Sequence, residues 1–176
     1  MQSIYLAGGC FWCVEAVYLS IKGVLSVTPG YMGGNTKNPS YQDICSGQTG
    51  HAEVIKCDYY NEKISLEKII NIFFIIHDPT QLNRQGNDVG TQYRSAIFFE
   101  EKGQLEVIKL ALKRAEKVWN KKIKTEISIK KDFYPAEEYH HDYYKKNPGS
   151  IYCNTLMPPK LDKLKDLFPE LFKKHF

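Results

Sequence analysis

Apolar and polar positions alternate along the chain in short blocks of two periods. Ser3 to Ala7 is a brief apolar run ending at Gly8-Gly9, the pattern of a strand. Phe11 to Ile21 puts Val14, Val17, Tyr18 and Ile21 on one stripe, the spacing of a helix, and Gly23 breaks it. Val24 to Tyr31 alternates as a strand. Gly30, Gly33, Gly34, Asn35, Asn38 and Pro39 then mark a loop, with one helical turn expected around Tyr41 to Cys45. His51 to Tyr59 alternates again. A helix follows from Ser65, a capping residue, to about Ile76, with Lys68 where a capping-box acid would sit. The polar stretch His77 to Gln92 carries Pro79, Gly86, Asn87, Asp88 and Gly90, and a loop of that length is uncommon unless functional. Tyr93 to Phe99 reads as a strand, Leu105 to Trp119 as an amphipathic helix and Glu126 to Ile129 as a strand. Pro135 to Tyr144 reads as a helix with proline near its start, and Pro158 to Phe176 as a basic tail helix interrupted at Pro169.

Several connections are too short or too glycine-rich for a doubly wound parallel sheet. The pattern predicts an α+β fold, a two-layer sandwich with helices packed against a mixed β-sheet. A chain of 176 residues fits one domain over 1–176, with 154–176 as a C-terminal helical extension. Its 43% hydrophobic and 13% aromatic content argues against disorder. Formal charge is +4 with acids and bases mixed. The densest basic stretch, Lys109 to Lys131, is broken by Glu116 and Glu126 and reads as a solvated helix face, so nucleic acid is not an expected partner. The N-terminus lacks the cationic opening of a signal peptide, and the longest apolar run, Ile69 to Ile76, falls short of the roughly 20 residues a membrane span needs. Five cysteines without an export signal make a disulfide scaffold unexpected, and the expected compartment is the cytoplasm.

Among the cysteines, Cys10 stands where a strand ends at Gly8-Gly9 and a helix begins. Unpaired amides and the helix dipole favour a thiolate there, and the glycines let a substrate approach. The plainer reading is a packing cysteine beside Phe11 and Trp12. Cys10 and Cys13 also form a Cys-x-x-Cys pair at a helix start, the arrangement of thioredoxin-like disulfide exchange proteins. Against exchange, Phe11 and Trp12 between the two thiols would wall in a small apolar group rather than admit protein disulfides. A zinc site lacks a second pair of ligands at metal spacing.

An ordered series of motifs carries a resemblance. Gly9-Cys10-Phe11-Trp12 is followed by Gly30-Tyr31-x-Gly33-Gly34, Tyr41, Cys45-Ser46-Gly47 and Thr49-Gly50-His51-Ala52-Glu53. His77-Asp78-Pro79-Thr80, Arg84 to Asp88, Gly90 to Ser95, Glu137 to His141 and Tyr152-Cys153 complete it. Over Gly8 to about Cys153 the chain resembles class A methionine sulfoxide reductases. The resemblance implies a two-layer, ferredoxin-like α+β fold and reduction of the S epimer of methionine sulfoxide, free or in proteins, to methionine. It implies that the Cys10 thiolate attacks the sulfoxide, that Glu53 supplies a proton as a neutral carboxyl, and that Tyr41 and Tyr93 hydrogen-bond the sulfoxide oxygen. It further gives Asp88 the ordering of the polar pocket and Phe11 and Trp12 the enclosure of the substrate methyl. His51 and His140 are read as hydrogen-bonded structural histidines as readily as functional ones.

Oxygen transfer leaves Cys10 as a sulfenic acid that a second thiol must clear. Cys153 matches the first recycling cysteine of the family and is preferred, with Gly149 and Ser150 as a hinge. Cys13 is the alternative, at the cost of unwinding the first helical turn. Cys45 and Cys57 read as structural. No metal or organic cofactor is expected. The expected partners are methionine sulfoxide, free or in oxidised proteins, and thioredoxin or a similar dithiol as reductant. A protein that merely bound oxidised methionine would leave Cys10, Glu53, Tyr41 and Tyr93 without a use.

Overall fold

A computed structural model describes residues 1–173. Its strands and helices run β1 (Gln2–Gly8), α1 (Phe11–Leu19), β2 (Val24–Met32), α2 (Tyr41–Cys45), β3 (Ala52–Tyr59) and α3 (Leu66–Ile76). They continue β4 (Arg84–Gln85), β5 (Asp88–Val89), β6 (Ser95–Phe99), α4 (Lys102–Trp119), β7 (Glu126–Ile129), β8 (Tyr134–Pro135), α5 (Tyr143–Lys146) and α6 (Ile151–Leu167). One six-stranded sheet has the order β7-β6-β1-β3-β2-β8, and β4-β5 form a separate small hairpin. All neighbours in the large sheet are antiparallel except β6 and β7. Its centre, β6-β1-β3-β2, joined through α1 and α3, is two interleaved split βαβ units, the ferredoxin-like arrangement. The expected α+β class and mixed sheet are therefore present.

Strand periodicity decides what faces the helices. Ile4 and Leu6 of β1, Ile55, Cys57 and Tyr59 of β3 and Ile97 of β6 join the large core with α1, α3, α4 and α6. Tyr5, Ala7, Ala52, Val54, Ala96 and Phe98 point the other way, into a smaller cluster covered partly by Phe133. Glu53 has the odd-numbered register of Ile55 and Cys57, which puts a carboxyl on the helix side. At the core's centre Phe73 is completely buried on α3, whose start Ser65 caps by accepting the Lys68 amide.

Three expected elements differ. The stretch read as a helix from Pro135 to Tyr144 is a strand residue, a 3-10 turn over Glu138–His140 and the short α5. Pro135 pairs with Gly30, and Asp142 sits in the left-handed region at φ 53, so the backbone cannot continue as one helix. The tail helix begins at Ile151 rather than Pro158, because Ser150 caps it by accepting the Cys153 amide. Pro158 and Pro159 lie inside it, and the expected hinge at Ser150 is instead a fixed helix start. Of the predicted tail, residues 174–176 fall outside the described part. Finally, the polar stretch after His77 is not wholly irregular: it holds the β4-β5 hairpin and a 3-10 turn over Thr91–Tyr93, and β6 starts at Ser95.

Phe73→Ala should lower unfolding free energy by about 3–5 kcal/mol, since it removes a fully buried ring from a packed centre. Urea unfolding with an unchanged slope is the check, and a loss below about 1 kcal/mol would mean that the core collapses around the gap.

Candidate active site

Cys10 is the N-cap of α1, with φ −58 and ψ 123, so it lies outside the helical conformation while its carbonyl accepts from the amides of Cys13 and Val14 at 3.2 and 3.4 Å. Gly9 before it has φ +87, and a Cβ there would come within 2.8 Å of the Gln85 side chain. Glycine is thus required both by the turn and by the close approach of the β4-β5 hairpin. Cys10 contributes no side-chain cap. The next amide, of Phe11, donates instead to the Glu53 carboxylate at 3.0 Å, in a fully buried contact.

Burial pushes the Glu53 carboxyl up to about 8, against the opposing hydrogen bond from Phe11. At neutral pH this group mostly keeps its proton. The Cys10 thiol differs from expectation. It opens partly to solvent yet is surrounded by protein, and burial first, then the hydrogen bond to Cys13 and the proximity of Glu53 whenever it ionises, push it well above its ordinary value. These effects outweigh the helix-start position. Cys13, hydrogen-bonded by Cys10, is held below the ordinary thiol value. The two sulfurs act as one unit: the first proton to leave is favoured by the remaining S–H, and the second departure is opposed by charge and burial.

The other sequence candidates gather around this centre. Tyr41 opens α2, whose start is fixed by a capping box between Ser40 and Asp43, and its amide donates to Glu137 at 2.8 Å. Burial first and then Glu53 raise the Tyr41 phenol, which also engages the Cys45 thiol. Tyr93 ends the 3-10 turn before β6 and is raised by burial, Glu53 and Asp88 in that order. Asp88, on β5, accepts a hydrogen bond from the Tyr152 hydroxyl of α6. Phe11 is buried, with its ring 5.9 Å from Tyr31 and 5.1 Å from His140. Trp12 stacks on Tyr143 at 3.8 Å between centroids, and its indole N–H donates to His140 Nδ1 at 3.0 Å.

Cys10, Cys13 and Asp88 line a cavity of about 520 Å³ together with Gln85, Tyr152 and Lys160. Cys153 is not among its walls. It is 0% exposed in the core, in the first turn of α6, and the neighbouring thiol that acts on it is Cys13. Cys57 is buried in β3 and Cys45 is exposed at the end of α2. His51 is structural: Nδ1 accepts from the Gly34 amide and Nε2 donates to the Thr36 carbonyl.

Sequence reading gave no roles to Glu137, Tyr143 and Tyr152. Glu137 accepts from both the Tyr41 amide and the Tyr31 hydroxyl. His140, fully buried, uses Nδ1 as an acceptor, so its neutral ring carries the proton on Nε2, 3.7 Å from Glu137. Glu15 of α1 accepts from the Asp142 amide at 2.8 Å and holds this segment against the helix, and burial raises its carboxyl to about 7. Aromatic density at Tyr139, Tyr143, Tyr144 and Tyr152 was the available signal, but a phenol's partner is set by tertiary contact.

Across residues 2–171 the chain matches the family model described as peptide methionine sulfoxide reductase. The chain belongs to the peptide methionine sulfoxide reductase family. It is 52% identical over 172 residues to the peptide methionine sulfoxide reductase of Trichodesmium erythraeum, covering 97% of each chain. Among solved structures it is similar to Mxr1 from Saccharomyces cerevisiae in reduced form, with a TM-score of 0.81, 37% identity and coverage of 88% of this chain and 90% of that one. It is also similar to Mxr1 in complex with Trx2, with a TM-score of 0.56, 26% identity and coverage of 81% and 84%. Among the described residues no helix is long and apolar enough to cross a membrane, and no three His, Cys, Asp or Glu side chains cluster as a metal site.

The site carries a pH signature that family membership alone would not give. A carboxyl whose folded value lies above its unfolded one contributes stability that is complete below the unfolded value and is lost as pH rises through the folded value. For Glu53 that window runs from about 4.5 to about 8. Glu53→Gln should therefore gain stability relative to the parent across this window, read as diverging urea midpoints. A constant difference between the two proteins would mean that Glu53 ionises alike in both states.

Proposed function

We propose that this enzyme reduces the S epimer of methionine sulfoxide, free or in proteins, to methionine, with Cys10 as nucleophile and Glu53 as general acid. The observation that carries the reading is the Phe11 amide to Glu53 contact, which sets a mostly protonated carboxyl beside the residue that follows the nucleophile. Trp12 and Phe11 form the wall for the substrate methyl. Tyr41 and Tyr93, whose phenols stay protonated, donate to the sulfoxide oxygen, and Asp88 orders the polar side through Tyr152.

Cys10 yields its proton along the hydrogen bond to the Cys13 sulfur and bonds as a thiolate to the sulfoxide sulfur, and the sulfur–oxygen bond breaks as oxygen passes to Cys10 with the proton from Glu53. Methionine leaves, and Cys10 has lost two electrons as a sulfenic acid. The resolving thiol we assign is Cys13, in place of Cys153, which the sequence alone favoured. Two features support it. Cys10 is an N-cap with extended ψ, so its sulfur meets a thiol three residues on without any unwinding. The two thiols are already hydrogen-bonded, whereas Cys153 lies in the core at the start of a capped helix. Attack by Cys13 forms the disulfide, breaks the Cys10 sulfur–oxygen bond and releases water with the Cys13 proton. The disulfide is then reduced by a thioredoxin or similar dithiol, a reading supported by the Mxr1 complex with Trx2.

Reduced protein mixed with each separated epimer, without added reductant, tests this. Methionine should form from the S epimer only and not at all in Cys10→Ser, and a peptide map should join Cys10 to Cys13. Glu53→Gln should slow the single turnover by about 10²- to 10⁴-fold. Unchanged turnover in that variant would remove the acid from Glu53, and methionine from the R epimer would remove the stereochemical assignment.

A further inference from the structure

α6 presents two faces. Cys153, Met157, Leu161 and Leu164 enter the core, while Tyr152, Leu156 and Lys160, spaced four apart, line the cavity that holds Cys10 and Cys13. Lys160 takes part in none of the ion pairs found among the described residues. It shares the cavity wall with Cys10, Cys13 and Asp88 as well as with its helix neighbours Leu156 and Tyr152.

We propose that Lys160 is a positioning residue for disulfide closure, its ammonium group stabilising the Cys13 thiolate as that sulfur attacks oxidised Cys10. The proposal rests on Cys13 being the resolving thiol. The titratable groups around Cys13 are Cys10 at the helix start, Glu53 on β3, Asp88 on β5, and Tyr152, Cys153 and Lys160 on α6. Lys160 is the one cation in this set. In the reduced protein the hydrogen bond from Cys10 is the first influence lowering the Cys13 thiol and Lys160 the second, against burial and Asp88. Oxygen transfer consumes the thiol that makes this hydrogen bond. Lys160 is unaltered by the chemistry and remains to favour the Cys13 thiolate at the moment it is needed. The balance of the step is unchanged: the Cys13 proton leaves with the hydroxide of the sulfenic acid as water, and the two sulfurs share the new bond.

The test is a quenched single turnover with the S epimer over a range of pH, in the full chain and in its Lys160→Met and Lys160→Arg variants. Methionine and the Cys10–Cys13 disulfide are counted separately, and a peptide map identifies the bond. Lys160→Met should move the pH profile of disulfide closure upward by about one unit, so that closure slows about tenfold relative to methionine formation on the rising limb. Lys160→Arg, which keeps the charge, should restore the profile. A Cys10–Cys13 bond that closes in Lys160→Met with the parent's pH profile overturns the role of Lys160 while leaving Cys13 as resolver. Equal slowing in Lys160→Met and Lys160→Arg would also overturn it, by reducing the effect to packing. A Cys10–Cys153 bond in the parent removes the premise instead.

Discussion

The hydrogen bond from the Phe11 amide to the Glu53 carboxylate is the contact on which the site's geometry turns. A helix start leaves several amides without intrahelical partners, and an N-cap side chain commonly takes one of them. Here the N-cap is Cys10, and it makes no side-chain cap. The acceptor comes from a neighbouring strand, so the sulfur is left for chemistry. The same bond anchors a buried carboxyl that has little other compensation, and desolvation keeps its proton on at neutral pH. One contact thus leaves the Cys10 sulfur uncommitted, holds a buried carboxyl beside it and joins β3 to α1. Strand register makes it available: a one-residue slip of β3 would turn Glu53 to the opposite face and put Val54 among the helices.

Around that contact the Trp12 ring is held from outside. Trp12 is fixed on one face by the Tyr143 ring and at its nitrogen by His140. Both partners belong to a segment with little regular structure, and such segments are usually the more variable part of a fold. Two carboxylates tie it down. Glu15 takes the Asp142 amide from the α1 side, and Glu137 spans the Tyr31 hydroxyl and the Tyr41 amide. The irregular backbone that replaced the expected helix at Pro135 to Tyr144 lets Glu137 reach the Tyr41 amide while His140 and Tyr143 hold Trp12.

What was legible in the sequence follows the physics of range. The strands β1, β2 and β3 and the helices α1 and α3 showed in local periodicity, because each buries one face of a regular element. Cys10 showed because Gly-Gly followed by a helical stripe is a local pattern, and the Ser65 cap showed for the same reason. The start of α6 did not, since Pro158 and Pro159 drew the boundary to themselves while the Ser150 cap set it seven residues earlier. Burial effects on ionisation were legible for Glu53 only through the motif that carries it. For Cys10 a local argument from the helix start gave the wrong direction, because the surrounding protein and the Cys13 thiol are tertiary facts.

The cysteines make the same distinction sharpest. Cys10, Cys13 and Cys153 are one residue type in three mechanical settings. The resemblance favoured Cys153, which matches the family's first recycling cysteine, with Gly149 and Ser150 as a hinge to carry it to Cys10. Cys153 is instead capped into the first turn of a helix, with its side chain buried in the core beside Met157 and Leu161. The Cys13 amide is already bonded to the Cys10 carbonyl, and Cys10 stands before the helix rather than in it. The position that leaves the Cys10 sulfur free of capping also sets it beside a thiol three residues on, so in the proposed mechanism attack and recycling draw on a single feature of the backbone.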